Sequence, residues 1–368
     1  MFLTKSILVR GIPLLSVVAH LLLIACSPFV SGEISAPAAT LITATPIAID
    51  PQTHRLYAVD AARNRLIVTD PANPTPSYIT AGRSPVALAL DPSLARLYVV
   101  NSGSGTVSVV DTATNAITTE LKTDTHPYTL ALDTTLHRVF VANTFSKEVT
   151  VIGGTSNNIN RLPLGSKDAI VVDVRHHRVY LSSYEDPNIL VLDESTSTTT
   201  KLPAAIHTWA LAVDADSGTL YAAIIGSNEL LIFPGGTGQP LHVPTGTMPD
   251  AVATDAGAQR VYISNRESDT VTVVDAQAGH VLATVPVGQH PAGLAVDSAH
   301  HCIYVANTAA GTVSVIDGAT NRVTSTLPAG HAPYALSLDP ATRTLFAAGI
   351  GSPAVTRLPQ DNRSGCTP

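Results

Sequence analysis

The chain has 368 residues, of which 13% are charged and 45% are hydrophobic, and its formal net charge at pH 7 is -7. Disordered chains show the opposite balance of charge and apolar content, so this composition indicates a large buried core. No cluster of lysine and arginine stands out. Because binding to phosphate backbones or anionic lipid surfaces requires a basic face, we expect neither nucleic acid nor a charge-bound lipid surface as a partner.

The first 25 residues have the pattern of a secretory signal. Lys5 and Arg10 precede an apolar stretch at 11–24, which is too short to span a bilayer comfortably. The stretch ends in Ala25-Cys26, which resembles the signal of a bacterial lipoprotein, where the cysteine becomes the lipidated first residue. The pattern predicts a lipoprotein-type signal peptide at 1–25. The alternative is an ordinary signal peptide that is cleaved at another position.

A lipoprotein signal also predicts where the protein is located. It predicts a tether at 26–38 and acyl chains on Cys26 that hold the exported protein on a membrane. Ser27 stands where retention at the inner membrane usually has aspartate. We therefore expect the periplasmic side of the outer membrane or the cell surface.

The rest of the chain is an internal repeat with strand-like alternation of apolar and polar residues. An apolar run that ends in aspartate is followed seven residues later by an aromatic residue, and this landmark occurs eight times at intervals of 40 to 42 residues. The eight pairs are Asp50/Tyr57, Asp91/Tyr98, Asp133/Phe140, Asp173/Tyr180, Asp214/Tyr221, Asp255/Tyr262, Asp297/Tyr304 and Asp339/Phe346.

Each repeat contains four strand-like runs, most clearly in the seventh. Its runs are 293–297, 302–307, 312–317 and 323–327. Four short strands in about 40 residues are typical of a propeller blade, and blades must stack because a single sheet cannot bury both faces. The sequence predicts an all-β fold with almost no helix.

The strand that follows each aromatic carries a recognisable motif. Tyr-Val-Val-Asn at 98–101, Phe-Val-Ala-Asn at 140–143, Tyr-Ile-Ser-Asn at 262–265 and Tyr-Val-Ala-Asn at 304–307 resemble the YVTN family of β-propeller repeats. The resemblance covers residues 39–360 and implies a single propeller. Tyr180 and Tyr221 begin variants of the motif that lack the asparagine. The phased repeats predict eight four-stranded blades, with seven as the alternative because the family more often closes with seven.

The last repeat has only three runs, at 335–338, 345–348 and 354–358. The segment at 39–43 has the appearance of the missing strand. We expect it to complete the last blade and close the ring, which would remove exposed sheet edges. The tail at 361–368 follows the propeller.

Four recurring positions have structural explanations. The repeat aspartate suits a turn, the aromatic suits packing between blades, and the asparagine suits the cap of a tight turn. A basic residue two places before the aromatic suits pairing with a carboxylate on the same rim. The basic residues are Arg55, Arg96, Arg138, Arg178 and Arg260.

The two remaining cysteines lie close in the expected topology. Cys302 occupies the position held by those arginines, so we expect it to be exposed on a rim, and Cys366 lies just past the closing strand. A Cys302–Cys366 disulfide is permitted in an exported protein, and two free thiols are the alternative.

The loops that lead into the first strand of several blades carry histidine and aromatic residues. We expect them around one mouth of the central channel, where they form a candidate ligand site. The candidates are His126, Tyr128, His207, Trp209, His290, His331, Tyr334, Asp168 and Asp250. Imidazoles suit a transition metal, so His126, His207, His290 and His331 are candidate metal ligands. The alternative is that His-Pro is common in the loops of such repeats for structural reasons, and that the imidazoles lie too far apart to bind one ion. The paired histidines at 176–177 and 300–301 fall in turns on the opposite rim, where we expect exposure to solvent.

Signatures of catalysis are missing from the sequence. It has no Gly-x-Ser-x-Gly elbow, P-loop or dinucleotide-binding glycine pattern. We therefore assign no catalytic residue and predict no cofactor. The leading hypothesis is a monomeric, membrane-tethered binding or scaffold propeller that presents one rim to a protein, glycan or small ligand. The alternative is an enzyme or cofactor-binding propeller, such as a lactonase-like hydrolase or a haem or copper electron-transfer domain.

The lipid anchor yields a direct test. The substitution Cys26→Ser removes the only thiol that the signal offers for acylation, so we expect the protein to move from the membrane to the soluble fraction. Fractionation of cells that express each form measures this. Retention of the variant on the membrane would contradict the anchor.

Overall fold

The structure is a computed structural model, and it describes residues 46–350, 352 and 355–358. It contains eight antiparallel sheets, of which seven have four strands and the last has three. The described residues contain two short 3-10 turns, Ala61–Arg63 and Pro234–Gly236, and no α-helix. The fold is therefore an eight-bladed β-propeller, as the phased repeats predicted, and the seven-blade alternative is wrong.

The blades follow one another along the chain, and each sheet keeps its strands in sequence order. The strands of blades 1 to 4 are β1 (Ile47–Ile49), β2 (Leu56–Asp60), β3 (Arg65–Asp70), β4 (Asn73–Thr80), β5 (Pro85–Asp91), β6 (Arg96–Asn101), β7 (Thr106–Asp111), β8 (Ala116–Lys122), β9 (Pro127–Asp133), β10 (Arg138–Asn143), β11 (Val149–Gly153), β12 (Ile159–Leu162), β13 (Ala169–Asp173), β14 (Arg178–Ser182), β15 (Asn188–Asp193) and β16 (Thr198–Pro203).

The strands of blades 5 to 8 are β17 (Thr208–Asp214), β18 (Thr219–Ile224), β19 (Glu229–Phe233), β20 (Leu241–Pro244), β21 (Pro249–Asp255), β22 (Arg260–Asn265), β23 (Thr270–Asp275), β24 (Val281–Pro286), β25 (Pro291–Asp297), β26 (Cys302–Asn307), β27 (Thr312–Asp317), β28 (Arg322–Pro328), β29 (Pro333–Asp339), β30 (Thr344–Gly349) and β31 (Val355–Leu358). The middle strands are buried on both faces, whereas exposed residues alternate with less exposed ones along the fourth strands, as in β8, where only Leu121 is buried. The fourth strand is therefore the outer edge of the seven blades in which it is described.

The first strands surround the central axis. Each first strand contacts the first strand of the next blade, and β29 of blade 8 contacts β1 of blade 1, so the ring is closed. Ile47 and Leu56 pack there against Phe346 and Ala348. The predicted closing strand at 39–43 lies outside the described residues, as do the signal peptide at 1–25, the tether at 26–38 with Cys26, and the tail with Cys366.

The aromatic side chains of the second strands lie between blades, as predicted. Tyr98 of blade 2 has no exposed surface and packs against Leu130, Val139 and Ile152 of blade 3. Its hydroxyl donates to the carbonyl of Gly154 at 3.2 Å. One side chain thus joins two sheets by apolar contact and by a hydrogen bond.

Polar bridges join the blades at the rim that carries the turns after the first and third strands, which we call the turn rim. The repeat aspartates close their own turns; Asp91, for example, accepts from Ser93 Oγ at 2.6 Å. The other carboxylate oxygen accepts from the next blade, where His137 Nδ1 lies 2.7 Å from Asp91 Oδ2. His54 Nδ1 lies 3.0 Å from Asp339 Oδ2 across the ring closure.

The paired histidines also bind aspartates of this rim, and His176 is exposed there, as predicted. The other three, His177, His300 and His301, are half-buried. His301 Nδ1 lies 2.9 Å from Asp255 of the preceding blade, and His300 Nδ1 lies 2.9 Å from Asp297 of its own blade. The φ of His301 is 52°, a left-handed conformation in which histidine is more frequent than most residues. The turn geometry and the bridge therefore both favour histidine there.

The recurring asparagines and arginines also have defined partners. Asn101 Nδ2 donates to Ser108 Oγ on the next strand at 2.8 Å, so the asparagine clamps the turn between second and third strands. The predicted arginine–carboxylate pair exists at Arg55, whose Nε donates to Asp70 at 2.7 Å. The arginines also reach the next blade, and Arg178 donates to the carbonyl of Gly235 at 2.8 Å.

Cys302 is fully buried, which corrects the expectation that it is exposed on a rim. It packs with Leu345 and Leu358 of blade 8, and its thiol donates to the carbonyl of His300 at 3.6 Å. The first residue of a second strand starts between the blades, and only a long side chain such as arginine reaches the rim from there. Since Cys366 lies outside the described residues, the disulfide remains a prediction.

Among the described residues, no helix is long and apolar enough to cross a membrane.

The inter-blade aromatics predict a large cost of truncation. We expect Tyr98→Ala to lower the free energy of unfolding by about 3–5 kcal/mol, because it opens a cavity and removes apolar contact between two blades. Tyr78→Ala is the matched control, because Tyr78 is 52% exposed on the outer strand β4 and should change stability by less than about 1 kcal/mol. Denaturant unfolding measures both, and equal effects would contradict the inter-blade role.

Candidate functional site

Near the start of the first strands the pairing with the second strands is irregular, and this irregularity changes the direction of side chains. In six blades the pairing between first and second strands shifts register near the start of the first strand. In blade 6, Pro249 pairs with Asn265 and Ala251 pairs with Ser264, so Asp250 is the extra residue of a β-bulge. Bulges often re-aim a side chain next to a functional site.

The residue five places before the repeat aspartate stands at this irregular position in those six blades, and Asp168 holds the same place just before the first strand of blade 4. We call this set the axial ring. Its described members are Val86, Tyr128, Asp168, Trp209, Asp250, Ala292 and Tyr334. Because the first strands surround the axis, these residues encircle one mouth of the channel. All five polar or aromatic members were predicted as site residues from the sequence. The mouth lies on the rim that carries the loops into the first strands, which we call the loop rim.

Trp209 and Asp250 form the most buried pair of the axial ring. Trp209 Nε1 donates to Asp250 Oδ1 at 2.8 Å, and Arg266 lies 3.7 Å from Asp250 Oδ2. Burial raises the pKa of Asp250 to about 6, and it outweighs the lowering effects of the Arg266 charge and the Trp209 hydrogen bond. The Asp250 carboxyl therefore changes its protonation in the mildly acidic range.

Tyr128, Asp168 and Tyr334 face the same space from three different blades. All three are half-buried. Burial raises the pKa of Tyr128, and the charges of Tyr334, Asp168 and Asp250 raise it further, which places the four groups within electrostatic reach of one another. Burial alone raises the pKa of Tyr334 to about 12. Both phenols are therefore neutral at any physiological pH.

Asp168 is oriented by blade 4 itself. The backbone N–H of Tyr184 donates to its Oδ2 at 2.8 Å, and Ser183 Oγ donates to the same oxygen at 3.3 Å. Burial raises the pKa of Asp168, against the lowering effect of these hydrogen bonds. Lys167 beside it is only 4% exposed, and burial lowers the pKa of its amine. The buried amine of Lys167 thus lies within electrostatic reach of Asp168 and Asp186.

An aromatic cluster extends the ring outward. The rings of Tyr184 and His207 lie 4.3 Å apart between centroids, and Tyr184 meets Trp209 edge-on at 6.3 Å. A side chain on Gly226 would place its Cβ 2.7 Å from His207 Nδ1, so only glycine fits beside this imidazole. Tyr184, Lys167 and Arg266 were not among the site residues predicted from the sequence. Most blades carry other residues at the same positions of the repeat, and this difference was the only sign in the sequence that the three could have a special role.

The other loop histidines lie apart from the ring. His126, His290 and His331 are exposed, and the backbone of His290 is held by Asp269, which accepts from its N–H at 2.8 Å. His126 meets the exposed ring of Phe145 edge-on at 6.0 Å. Within the ranges 46–350, 352 and 355–358, no group of three or more His, Cys, Asp or Glu side chains could hold a metal ion. The four predicted metal ligands are therefore not brought together.

The pKa of Asp250 predicts a pH-dependent signal. The folded pKa of about 6 lies above the ordinary value of 3.8, so the Asp250 contribution to stability is complete below about pH 4 and is lost as the pH rises through 6. The loss relative to Asp250→Asn should approach about 3 kcal/mol at pH 7. Thermal unfolding between pH 4 and 7.5 measures it.

Trp209 is the single tryptophan of the chain, so its fluorescence reports on its bonded carboxyl. We expect a transition near pH 6 that Asp250→Asn abolishes. His207→Gln is the control, since it removes the nearby imidazole and should leave the transition in place. A transition that survives in Asp250→Asn would contradict the assignment.

Comparison with solved structures shows the same fold in proteins of distant sequence. One is described as "Dihydro-heme d1 dehydrogenase NirN in complex with DHE", with a TM-score of 0.71, 14% identity, and coverage of 89% of this chain and 77% of that chain. Another is the hydrazine synthase of Kuenenia stuttgartiensis, with a TM-score of 0.61, 16% identity, and coverage of 90% and 99%. At such low sequence identity, these two matches show a shared fold alone.

A search of curated proteins returned no significant match. The sequence profile of the YNCE-like β-propeller family matches residues 71–279, which is more than half of the chain. This match confirms the propeller family that the repeat motifs indicated. The chain belongs to the YNCE-like β-propeller family.

Proposed function

We propose that this protein is a non-enzymatic binding propeller, exported and tethered to a membrane through Cys26, whose axial ring binds a small hydroxyl-bearing ligand such as a sugar. The observation that carries the proposal is the equivalent position of Tyr128, Asp168 and Asp250 at the start of first strands around the axis, in three blades that are not all neighbours, with the two carboxyls within electrostatic reach of the phenol. Rigid blades hold these groups in place before any ligand arrives, which limits the entropy lost on binding.

The chemistry of the ring favours a neutral polyhydroxyl ligand. Aromatic side chains such as Tyr128, Trp209 and Tyr334 offer flat apolar faces for a sugar ring. Carboxyl groups and neutral phenols next to them accept and donate hydrogen bonds to hydroxyl groups. The set thus combines apolar walls with a few fixed polar groups, which is the usual composition of small-molecule sites.

The loop rim also offers a surface for the partner that presents or receives the ligand. Phe145 is 60% exposed and Ile206 is 49% exposed, and both lie in loops of this rim. Ile206 directly precedes His207 of the aromatic cluster. A larger glycan bound at the ring would therefore extend over apolar side chains.

The removal of single hydroxyl groups tests the proposal. We expect calorimetric titration to detect binding of at least one of glucose, galactose, N-acetylglucosamine and trehalose. Tyr128→Phe and Tyr334→Phe should each weaken that binding about tenfold, because each removes one buried hydrogen bond while it preserves the ring. Tyr78→Phe on the outer strand is the matched control. Absence of binding by all four sugars would contradict a sugar site.

A second candidate, a cofactor-binding propeller, is favoured by one specific observation. The NirN structure of the same fold is described as a complex with DHE. In this chain the His207 imidazole makes no hydrogen bond with the described residues and is flanked by Tyr184, so it fits an axial ligand of haem iron. Titration with hemin, followed by absorption, tests this. A shifted haem band that His207→Ala removes would support the cofactor candidate over the sugar site.

A further inference from the structure

The turn rim holds a cavity of about 500 Å³ between blades 5 and 6, on the opposite side of the propeller from the axial ring. Asp214 and Tyr221 of blade 5 line it, together with Gln259 and Ala276 of blade 6. Its size lies within the range of small-molecule sites. The sequence around it explains why the space is open.

One position that closes this space elsewhere is the first residue of the second strand. The guanidinium of Arg55 donates to the carbonyl of Thr112 in the next blade at 3.2 Å, and that of Arg178 donates to Gly235 at 2.8 Å. In blade 5 the position holds Thr219, which is too short to reach blade 6. Ala276 stands where Thr112 and Gly235 stand in their blades, and it lines the cavity.

The second closing position is the left-handed residue that precedes the second strand of the following blade. His137 fills it in blade 3 and lies 2.7 Å from Asp91 of blade 2. In blade 6 the residue is Gln259, whose side chain makes no hydrogen bond with the described residues. Of the eight interfaces between described blades, only the one between blades 5 and 6 has neither an arginine at the first position nor a histidine or arginine at the second.

Asp214 has neither the histidine nor the arginine partner that six of the other seven repeat aspartates have, and Asp50 is the other one without such a partner. Asp214 is half-buried, whereas the other seven repeat aspartates are at most 5% exposed. It accepts from Ser217 Oγ at 2.9 Å and from the N–H of Asp216 at 3.0 Å, and no described cationic side chain pairs with it. The other carboxylates of the cavity are paired, Asp216 with Arg175 at 2.8 Å and Asp255 with a histidine at 2.9 Å.

Tyr221 places a polar group at the cavity. It is 1% exposed and lines the cavity, and its hydroxyl has no hydrogen bond with the described residues. The hydroxyls of Tyr180 and Tyr262 are also unpaired, although arginine closes their interfaces. The equivalent hydroxyl of Tyr57 donates to the carbonyl of Thr112 at 3.4 Å. Burial, with the charge of Asp214, raises the pKa of Tyr221 to about 12. The hydroxyl is therefore neutral and free to accept or donate a hydrogen bond.

Arg260 also lines the cavity, but it serves the next interface. Its guanidinium donates to Asn321 of blade 7 at 3.3 Å. It therefore forms one wall of the cavity and leaves the position beside Asp214 and Ala276 open.

We propose that the cavity between blades 5 and 6 binds a guanidinium group, supplied either by a free arginine-like metabolite or by an arginine side chain of a partner. The ligand takes the place that two side chains fill at other interfaces. One is the second-strand arginine beside the facing carbonyl, and the other is the histidine or arginine of the following blade beside the repeat aspartate. Asp214 pairs with its charge, and the Tyr221 hydroxyl and the Ala276 carbonyl accept from its remaining N–H groups. A guanidinium presents five donors in one plane, which suits acceptors on two facing blades.

Calorimetric titration of the full chain with L-arginine tests the proposal, with L-citrulline as the uncharged analogue and L-lysine as the point charge. We expect saturable binding of one arginine, about tenfold weaker binding of lysine, and none of citrulline. The tripeptide Gly-Arg-Gly distinguishes the two sources. Its binding at equal affinity indicates a partner side chain, and its exclusion indicates a free metabolite.

Two variants and one control locate the site. Asp214→Asn should weaken arginine binding about tenfold or more, because a charge-assisted pair is lost. Thr219→Arg should abolish it and raise the melting temperature by about 2 °C, because the chain then supplies its own guanidinium. Asp50→Asn is the control, since Asp50 also lacks a histidine partner but its interface contains Arg55; arginine binding should be unchanged.

Absence of saturable arginine binding, equal binding of citrulline, or unchanged binding in Thr219→Arg would each overturn the proposal. The melting temperature gives a second readout that does not depend on the ligand. A Thr219→Arg protein that folds but is less stable than the original would show that the cavity does not accept a guanidinium.

Discussion

A blade of this protein cannot exist alone, because a four-stranded sheet has two apolar faces and each must be covered by another sheet. The fully buried aromatics of the second strands, such as Tyr57, Tyr98 and Tyr262, meet this requirement at their interfaces. Closure extends it to the contact between the last and first blades, where Phe346 packs on Ile47 and Leu56. Every other feature depends on this packing, because it fixes the distance at which the turns and loops of adjacent blades meet.

The two rims use that fixed distance differently. On the turn rim, aspartate, histidine and arginine side chains join neighbouring blades. The number of such side chains differs from one interface to another. Between blades 3 and 4, Glu194 is buried beside Asp133, and burial with that neighbouring carboxylate raises its pKa to about 7 although Arg138 lies 3.6 Å away. Between blades 5 and 6 the bridging cations are absent and a cavity remains. Variation at a few rim positions thus changes an interface from closed to open without any change in the strands.

On the loop rim, the bulges at the start of the first strands have a different consequence. They turn one side chain per blade toward the channel, so residues about 40 positions apart in sequence become neighbours in space. Asp250 illustrates the result, since it is bonded by Trp209 of one blade and approached by Arg266 of its own. A binding site at the axis therefore draws on many blades at once, whereas the cavity on the turn rim draws on only two.

The strands, the order of the blades and the preferred count of eight were predictable from the sequence. The strands follow from alternation within a repeat, and the count follows from the spacing of eight aspartate and aromatic pairs along the chain. The sequence also located Trp209, Asp250 and Tyr334 at one channel mouth, because equivalent residues of a closed ring must share a rim. The contacts between side chains of different blades were visible only in the folded protein. Folding buried Cys302, separated the four loop histidines, brought Tyr184 against Trp209 of the axial ring, and left Asp214 without a histidine or arginine partner. These outcomes depend on side-chain length and on facing residues from other repeats, which alternation within a repeat does not encode.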